Sequence, residues 1–139
     1  MHRITYVLVA TSLALLTASC SLFGIGQGGG VEVTLQPESA SLDQNLTLTV
    51  TNSTEAPIRY HCGYEVQTLN GGQWSSHRTV GCVGTAMPVS IAPGETYKAR
   101  IGLFAREPGT YRMEAFVTTQ KGEDVSEAGR ITNPVEVTQ

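Results

Sequence analysis

Helical periodicity is missing from this sequence: no segment repeats its apolar residues at a spacing of 3.6 over ten positions, which excludes a helical bundle and an α/β fold. Charge is scarce as well. Lys and Arg number 9 against 12 Asp and Glu, for a net charge of −3, and the basic residues are scattered apart from pairs such as Lys98 and Arg100. Binding along a phosphate backbone needs several cations on one face, so nucleic acid is excluded as a partner. Histidine occurs three times, and no GxSxG elbow, HExxH pair or phosphate loop is present, which removes the common signatures of hydrolases, metalloproteases and nucleotide binders. The set His61, Cys62, His77 and Cys82 does not read as a metal centre, because His61 and Cys62 are strand neighbours with opposite faces and no CxxC spacing accompanies them. Glu123 and Asp124 read as a solvated hairpin tip. The expectation is therefore a chain with no cofactor, no metal and no enzymatic activity.

Long apolar runs are absent too. The longest, Ile4 to Thr17, has 14 residues behind the short basic start Met1-His2-Arg3, too few for the roughly 20 that cross a bilayer as a helix, and it predicts a cleaved signal peptide. It ends in Leu16-Thr17-Ala18-Ser19-Cys20. A cysteine placed directly after small residues at the end of such a run resembles the lipobox of bacterial lipoproteins, with Thr17 where that family usually carries Leu. The resemblance implies that residues 1–19 are a lipoprotein signal peptide and that Cys20 becomes the acylated, palmitate-bearing N-terminus. It also implies a bacterial cell-envelope location with the membrane as a partner through the lipid. Ser21 in the next position, where Asp would retain the protein, points to the outer membrane of a diderm host. Three cysteines in an exported chain leave one over, and acylation of Cys20 leaves Cys62 and Cys82 to form a disulfide. Removing residues 1–19 takes away only Arg3 among the charged residues, so the mature chain carries −4. Residues 20–30 then read as the lipidated Cys and a Gly-rich tether spanning about 15 to 20 Å.

From Val31 onward the apolar period is 2. Val31, Val33 and Leu35 alternate with polar residues, as do Leu46, Leu48 and Val50 with threonines, and Ile58, Tyr60, Cys62, Tyr64 and Val66 with Arg59, His61 and Glu65. The turn cluster Asn52 to Pro57 separates two of these strands, and Asn70-Gly71-Gly72 closes a hairpin onto a strand that starts at Gln73 or Trp74. If Asn70 faces Trp74, the same register sets Cys62 across from Cys82. Ile91-Ala92-Pro93-Gly94-Glu95 turns into Tyr97, Ala99, Ile101 and Leu103; Tyr111, Met113, Ala115 and Val117 alternate in turn, with Phe116 out of place on the polar side. Val125 to Val137 closes the chain, and Pro134 assigns that segment to a sheet edge. The predicted core contains Leu46, Leu48, Val50, Tyr60, Ile101, Leu103, Tyr111 and Met113.

The stretch Pro108-Gly109-Thr110-Tyr111 resembles the tyrosine corner of immunoglobulin-like sandwiches, in which the phenol bonds back across a turn. Together with Pro57-Ile58-x-Tyr60, Trp74 and Ile91-x-Pro93-Gly94-Glu95, it makes Leu46 to Val117 similar to the Ig-like domains of bacterial surface lipoproteins and to the bacterial intracellular proteinase inhibitor family. Met113 stands where antibody domains carry the second core cysteine. The fold expected for residues 31–139 is an all-β, immunoglobulin-like antiparallel β-sandwich of about seven strands. Its expected function is that of a membrane-anchored, non-enzymatic envelope lipoprotein whose domain meets a protein partner, with Trp74 and Arg106 as candidate contacts. One alternative is a proteinase inhibitor presenting an extended loop such as Gly84 to Pro88 or Asn70 to Trp74; another is a carbohydrate-binding module using exposed aromatics.

Overall fold

The threonine alternation of Asn45–Asn52 folds into a strand with two unlike faces, Leu46, Leu48 and Val50 buried and Thr47, Thr49 and Thr51 turned outward. In the computed structural model, which describes residues 30–139 apart from Val83 and Thr85, the elements are β1 Val31–Gln36, β2 Ser39–Ser41, β3 Asn45–Asn52, β4 Ile58–Asn70, β5 Gln73–Val80, β6 Val89–Ile91, β7 Thr96–Gly102, β8 Gly109–Thr119, one 3-10 turn over Glu127–Gly129, and β9 Val135–Thr138. The expected signal peptide, Cys20 and the tether up to position 29 lie outside the described residues.

One sheet runs β1-β3-β7 and the other β2-β9-β8-β4-β5, with β6 pairing the start of β4. Their apolar faces meet in one core that includes Leu35, Leu46, Leu48 and Val50 from the first sheet and Tyr60, Val66, Tyr111, Met113 and Val117 from the second. All eight predicted core residues are buried, none more than 7% exposed. Met113, fully buried and opposite Val66, fills by packing the place where a core cysteine would sit.

Several details depart from the sequence expectation. Among the described residues nine strands form where about seven were expected, because β2 and β6 are three residues long and too short to show a period. The sandwich is not wholly antiparallel: after Pro37 the chain steps to the second sheet, where β2 runs parallel to β9. The last segment is a strand only over Val135–Thr138, and it is not at the edge, since β9 lies between β2 and β8. Pro134 precedes its first residue, where no ladder N–H is required.

The β4–β5 hairpin also differs by one residue. Asn70 faces Gln73 and not Trp74, because Gly71 and Gly72, at φ 56° and 81°, form a two-residue turn that only residues free of a Cβ make cheaply. Beyond Val66 the register shifts by one, leaving His77 unpaired between Ser76 and Arg78. That bulge restores the pairing that sets Cys62 opposite Cys82. A second irregularity lies between Tyr60 and Tyr64, where β4 gains residues relative to β8. It explains Phe116, whose ring lies over Gly63 on the outer face; a Cβ at position 63 would come within 2.9 Å of Phe116 Cδ2.

Candidate functional site

The strands give the sandwich two ends. At the entry end the described chain begins, with Ser53 N–H donating to the Gly30 carbonyl at 2.9 Å, beside the turns around 52–57 and 92–95 and the 119–124 hairpin. The far end carries the Gly71-Gly72 tip, the β7–β8 loop and the turn before β3.

Asn52 organises the entry end. It is fully buried and wholly satisfied: Nδ2 donates to the Ala56 and Ile91 carbonyls at 3.0 and 2.9 Å, while Oδ1 accepts from Thr54 N–H and Thr54 Oγ1 at 3.0 and 2.7 Å. Nearby, Ala56, Pro57, Ile58, Lys121, Glu123 and Val125 line an open cleft of about 450 Å³. Met87, 84% exposed, borders a neighbouring cleft with Arg59 and Pro88. Asn52 followed two residues later by Thr54 is an Asx-turn signature, the sequence signal from which this hub could have been found.

Between the ends, Cys62 and Cys82 are joined, with Cα atoms 5.4 Å apart. The bond lies two residues past the end of β5, where β4 exchanges β5 for β6 as its neighbour, and so it fixes the exit of the 81–88 segment. His61, on the opposite face, bonds Thr118 Oγ1 at 3.0 Å, whereas His77 bonds the Phe104 carbonyl. Among the described residues no three His, Cys, Asp or Glu side chains gather as a metal site, and no helix is long and apolar enough to cross a membrane.

At the far end the Tyr111 hydroxyl donates to the Glu107 carbonyl at 2.9 Å, the hydrogen bond that defines a tyrosine corner. Burial and the charge of Glu107 both push this phenol above its usual range. Tyr64, also raised by burial, donates to the Gly102 carbonyl at 3.0 Å and ties β4 to the end of β7. Trp74 is half-buried on the outer face of its sheet, with the Arg112 guanidinium 4.3 Å from its ring centroid and Arg112 Nε held by Gln67 Oε1 at 2.7 Å.

Arg106 stands in a different group. With His77, Arg78 and Phe104 it lines a cleft of about 430 Å³ that Trp74 does not touch. Two of its members, His77 and Phe104, are set by the local backbone. The bulge presents the His77 ring, whose Nε2–H donates to the Phe104 carbonyl at 3.3 Å and whose edge packs 5.6 Å from the Tyr111 ring. Phe104 lies at φ 53°, a left-handed conformation that costs a non-glycine residue about 1 to 3 kcal/mol, and its ring is 46% exposed with the Arg78 guanidinium 4.7 Å from its centroid. No carboxylate lines the cleft, and among the described residues the ion pairs are those of Arg130 with Glu114 and Asp124. Such a group offers donors and positive charge without a nucleophile or an acid–base pair. Sequence reasoning reached Arg106 but not its neighbours, because 28 positions separate it from Arg78 and only the fold joins them.

A family model described as bacterial Ig-like domain matches residues 27–127. No curated protein matches the chain. Among solved structures it is similar to the alkylpurine DNA glycosylase AlkC of Pseudomonas fluorescens, bound to DNA containing an abasic site analog, at 16% identity and TM-score 0.41 over 85% of this chain, spanning only 33% of that one. A CARDB domain from Pyrococcus furiosus, in complex with di-metal ions, matches at 17% identity and TM-score 0.42 over 79% of this chain and 92% of that one. The sporulation control protein Spo0M of Bacillus subtilis matches at 10% identity and TM-score 0.40, over 81% and 50% of the two chains.

Proposed function

The chain belongs to the bacterial Ig-like domain family, and from that premise we propose that it is a non-enzymatic interaction module of the bacterial cell envelope, carried on a lipid attached to Cys20 and, in a diderm host, on the outer membrane. The observation that carries the reading is the polarity of the sandwich. The described residues begin at one end, at Gly30, while the cationic and aromatic cleft of Arg106 lies at the other, an arrangement that suits a tether on the Gly30 side and a partner at the cleft. Mass spectrometry of the N-terminus tests the anchor: a diacylated or triacylated Cys20 is expected, and an unmodified Cys20 or a retained residue 1 overturns it. The variant Cys20→Ala leaves the membrane fraction, since acyl chains supply the attachment.

One observation favours a second reading, proteinase inhibition through Gly84 to Pro88. Met87 is the most exposed large apolar side chain described, and it lies between the Cys82 crosslink and Pro88. Incubation with a panel of proteases separates the two readings: inhibition lost in Met87→Asp supports the second, and none supports the first.

A further inference from the structure

We infer that the far-end cleft formed by His77, Arg78, Phe104 and Arg106 is a binding site for a phosphate-type oxyanion borne on a sugar-like ring. Two guanidinium side chains able to donate to an oxyanion, Arg78 and Arg106, converge from two separate segments, the end of the β5 bulge and the β7–β8 loop, on a space of about 430 Å³ with no acid among its walls. Guanidinium groups suit this ligand, because their rigid fork of N–H donors matches phosphate oxygens in pairs, and a guanidinium above a ring keeps those donors at its rim. The organic part of the ligand is argued from Phe104. A large apolar side chain in a left-handed conformation, nearly half exposed, is strained and poorly covered, two features that a folded chain retains only where something overrides them. A pyranose ring laid against its exposed edge supplies that cover. The site also has a rigid floor. His77 is fixed by the Phe104 carbonyl and packs on Tyr111, whose corner bond to Glu107 anchors the loop that carries Arg106.

This deepens the interaction-module reading of the same end and does not depend on the anchor. The test is titration of the isotope-labelled full chain in detergent, followed by amide and guanidinium chemical shifts, with inorganic phosphate, glucose 6-phosphate and glucose as probes. Glucose 6-phosphate is expected to saturate at millimolar or lower concentration, with shifts centred on His77, Arg78, Phe104 and Arg106, several-fold tighter than inorganic phosphate and with glucose inert. The pair R78Q/R106Q lowers affinity at least tenfold while the remaining spectrum stays in place; K98Q/R100Q, which removes the same charge from the neighbouring sheet face, leaves it unchanged. Phe104→Gly, which suits the left-handed backbone, keeps phosphate binding and abolishes the advantage of the sugar phosphate. Equal loss in both charge pairs, or no saturation, overturns the site. Equal affinity for phosphate and glucose 6-phosphate overturns the ring half of the assignment. A lack of titration in a chain that still captures an envelope protein would remove this site and leave the interaction reading standing.

Discussion

The two ends of the sandwich are built on different terms. At the entry end the buried polar side chain, Asn52, has all its donors and acceptors filled by the turn it starts and by Ile91 across the sheet edge, and the two turns are further knit by Asn52 N–H to the Glu95 carbonyl and Gly94 N–H to the Asn52 carbonyl. At the far end a corner tyrosine holds the loop by one hydrogen bond, and around it lie an aromatic in a left-handed backbone and two arginines with no acid beside them in their cleft. Satisfied groups stabilise the fold; unsatisfied or strained ones are what remains available to a ligand. The difference teaches that binding surface should be sought where local rules are broken, and stability where they are kept.

The sharpest way to break this contrast is Asn52→Ala. The variant removes the bonds that Asn52 makes to the buried Ile91 carbonyl and to the part-buried Thr54 N–H, and unfolding by urea should show a loss of about 3 kcal/mol. Asn45→Ala provides the control, because Asn45 opens the matching Asn-Leu-Thr triplet but is exposed, and its change should stay within about 0.5 kcal/mol. Equal losses would mean that Asn52 is an ordinary turn residue. The far end supplies the smaller effect. Tyr111→Phe removes the bond to the Glu107 carbonyl, at a cost of about 1 kcal/mol. Urea midpoints of Tyr111→Phe and Asn52→Ala, measured together, test the asymmetry directly: a corner as costly as the hub would erase it.

The same asymmetry decided what the sequence could reveal. Strand faces were legible because a period of 2 forces burial on alternate residues, and so Leu46, Leu48, Val50 and the rest of the core stood out. The Cys62–Cys82 pairing was legible although the turn was misread, since a hairpin one residue shorter and a bulge of one residue at His77 cancel over the length of β5. Bulges themselves were not legible; nothing in Ser76-His77-Arg78 distinguishes a residue left out of the ladder from one within it. Phe116 was visible only as an exception, and its explanation needed Gly63, which the kink between Tyr60 and Tyr64 brings beneath it. The short strand β2 and the internal place of β9 depend on pairing between residues about a hundred positions apart, such as Ser39 with Glu136, and the short β6 on pairing with the start of β4, as in Ile58 with Ile91. Cleft residues fare worst. Arg78 and Arg106 carry no shared motif, and scattered arginines in a sequence look the same whether or not folding brings them to one cleft.

Tyrosine ionisation offers the smallest and most local test. Tyr60 sits towards the entry end, opposite Val117 and Val89, with its ring 5.5 Å from Tyr97. Burial, followed by the neighbouring phenols Tyr97 and Tyr64, pushes its hydroxyl up to about 12 from the usual 10.0. The folded protein therefore holds this proton more tightly than the unfolded chain does. Up to pH 10 both states keep it and stability does not change on its account; between pH 10 and about 12 the unfolded chain loses the proton first, so stability falls as pH rises. Tyr64 and Tyr111 are raised in the same direction, but each donates to a carbonyl, Gly102 and Glu107, and these bonds work against the rise. Tyr60→Phe should accordingly leave the urea midpoint at pH 8 nearly unchanged and flatten its decline between pH 10 and 12, more than Tyr64→Phe or Tyr111→Phe does. An alkaline decline as steep in Tyr60→Phe as in the native chain would show that the entry-end core does not hold this proton, and that the loss of stability at high pH begins at the far end.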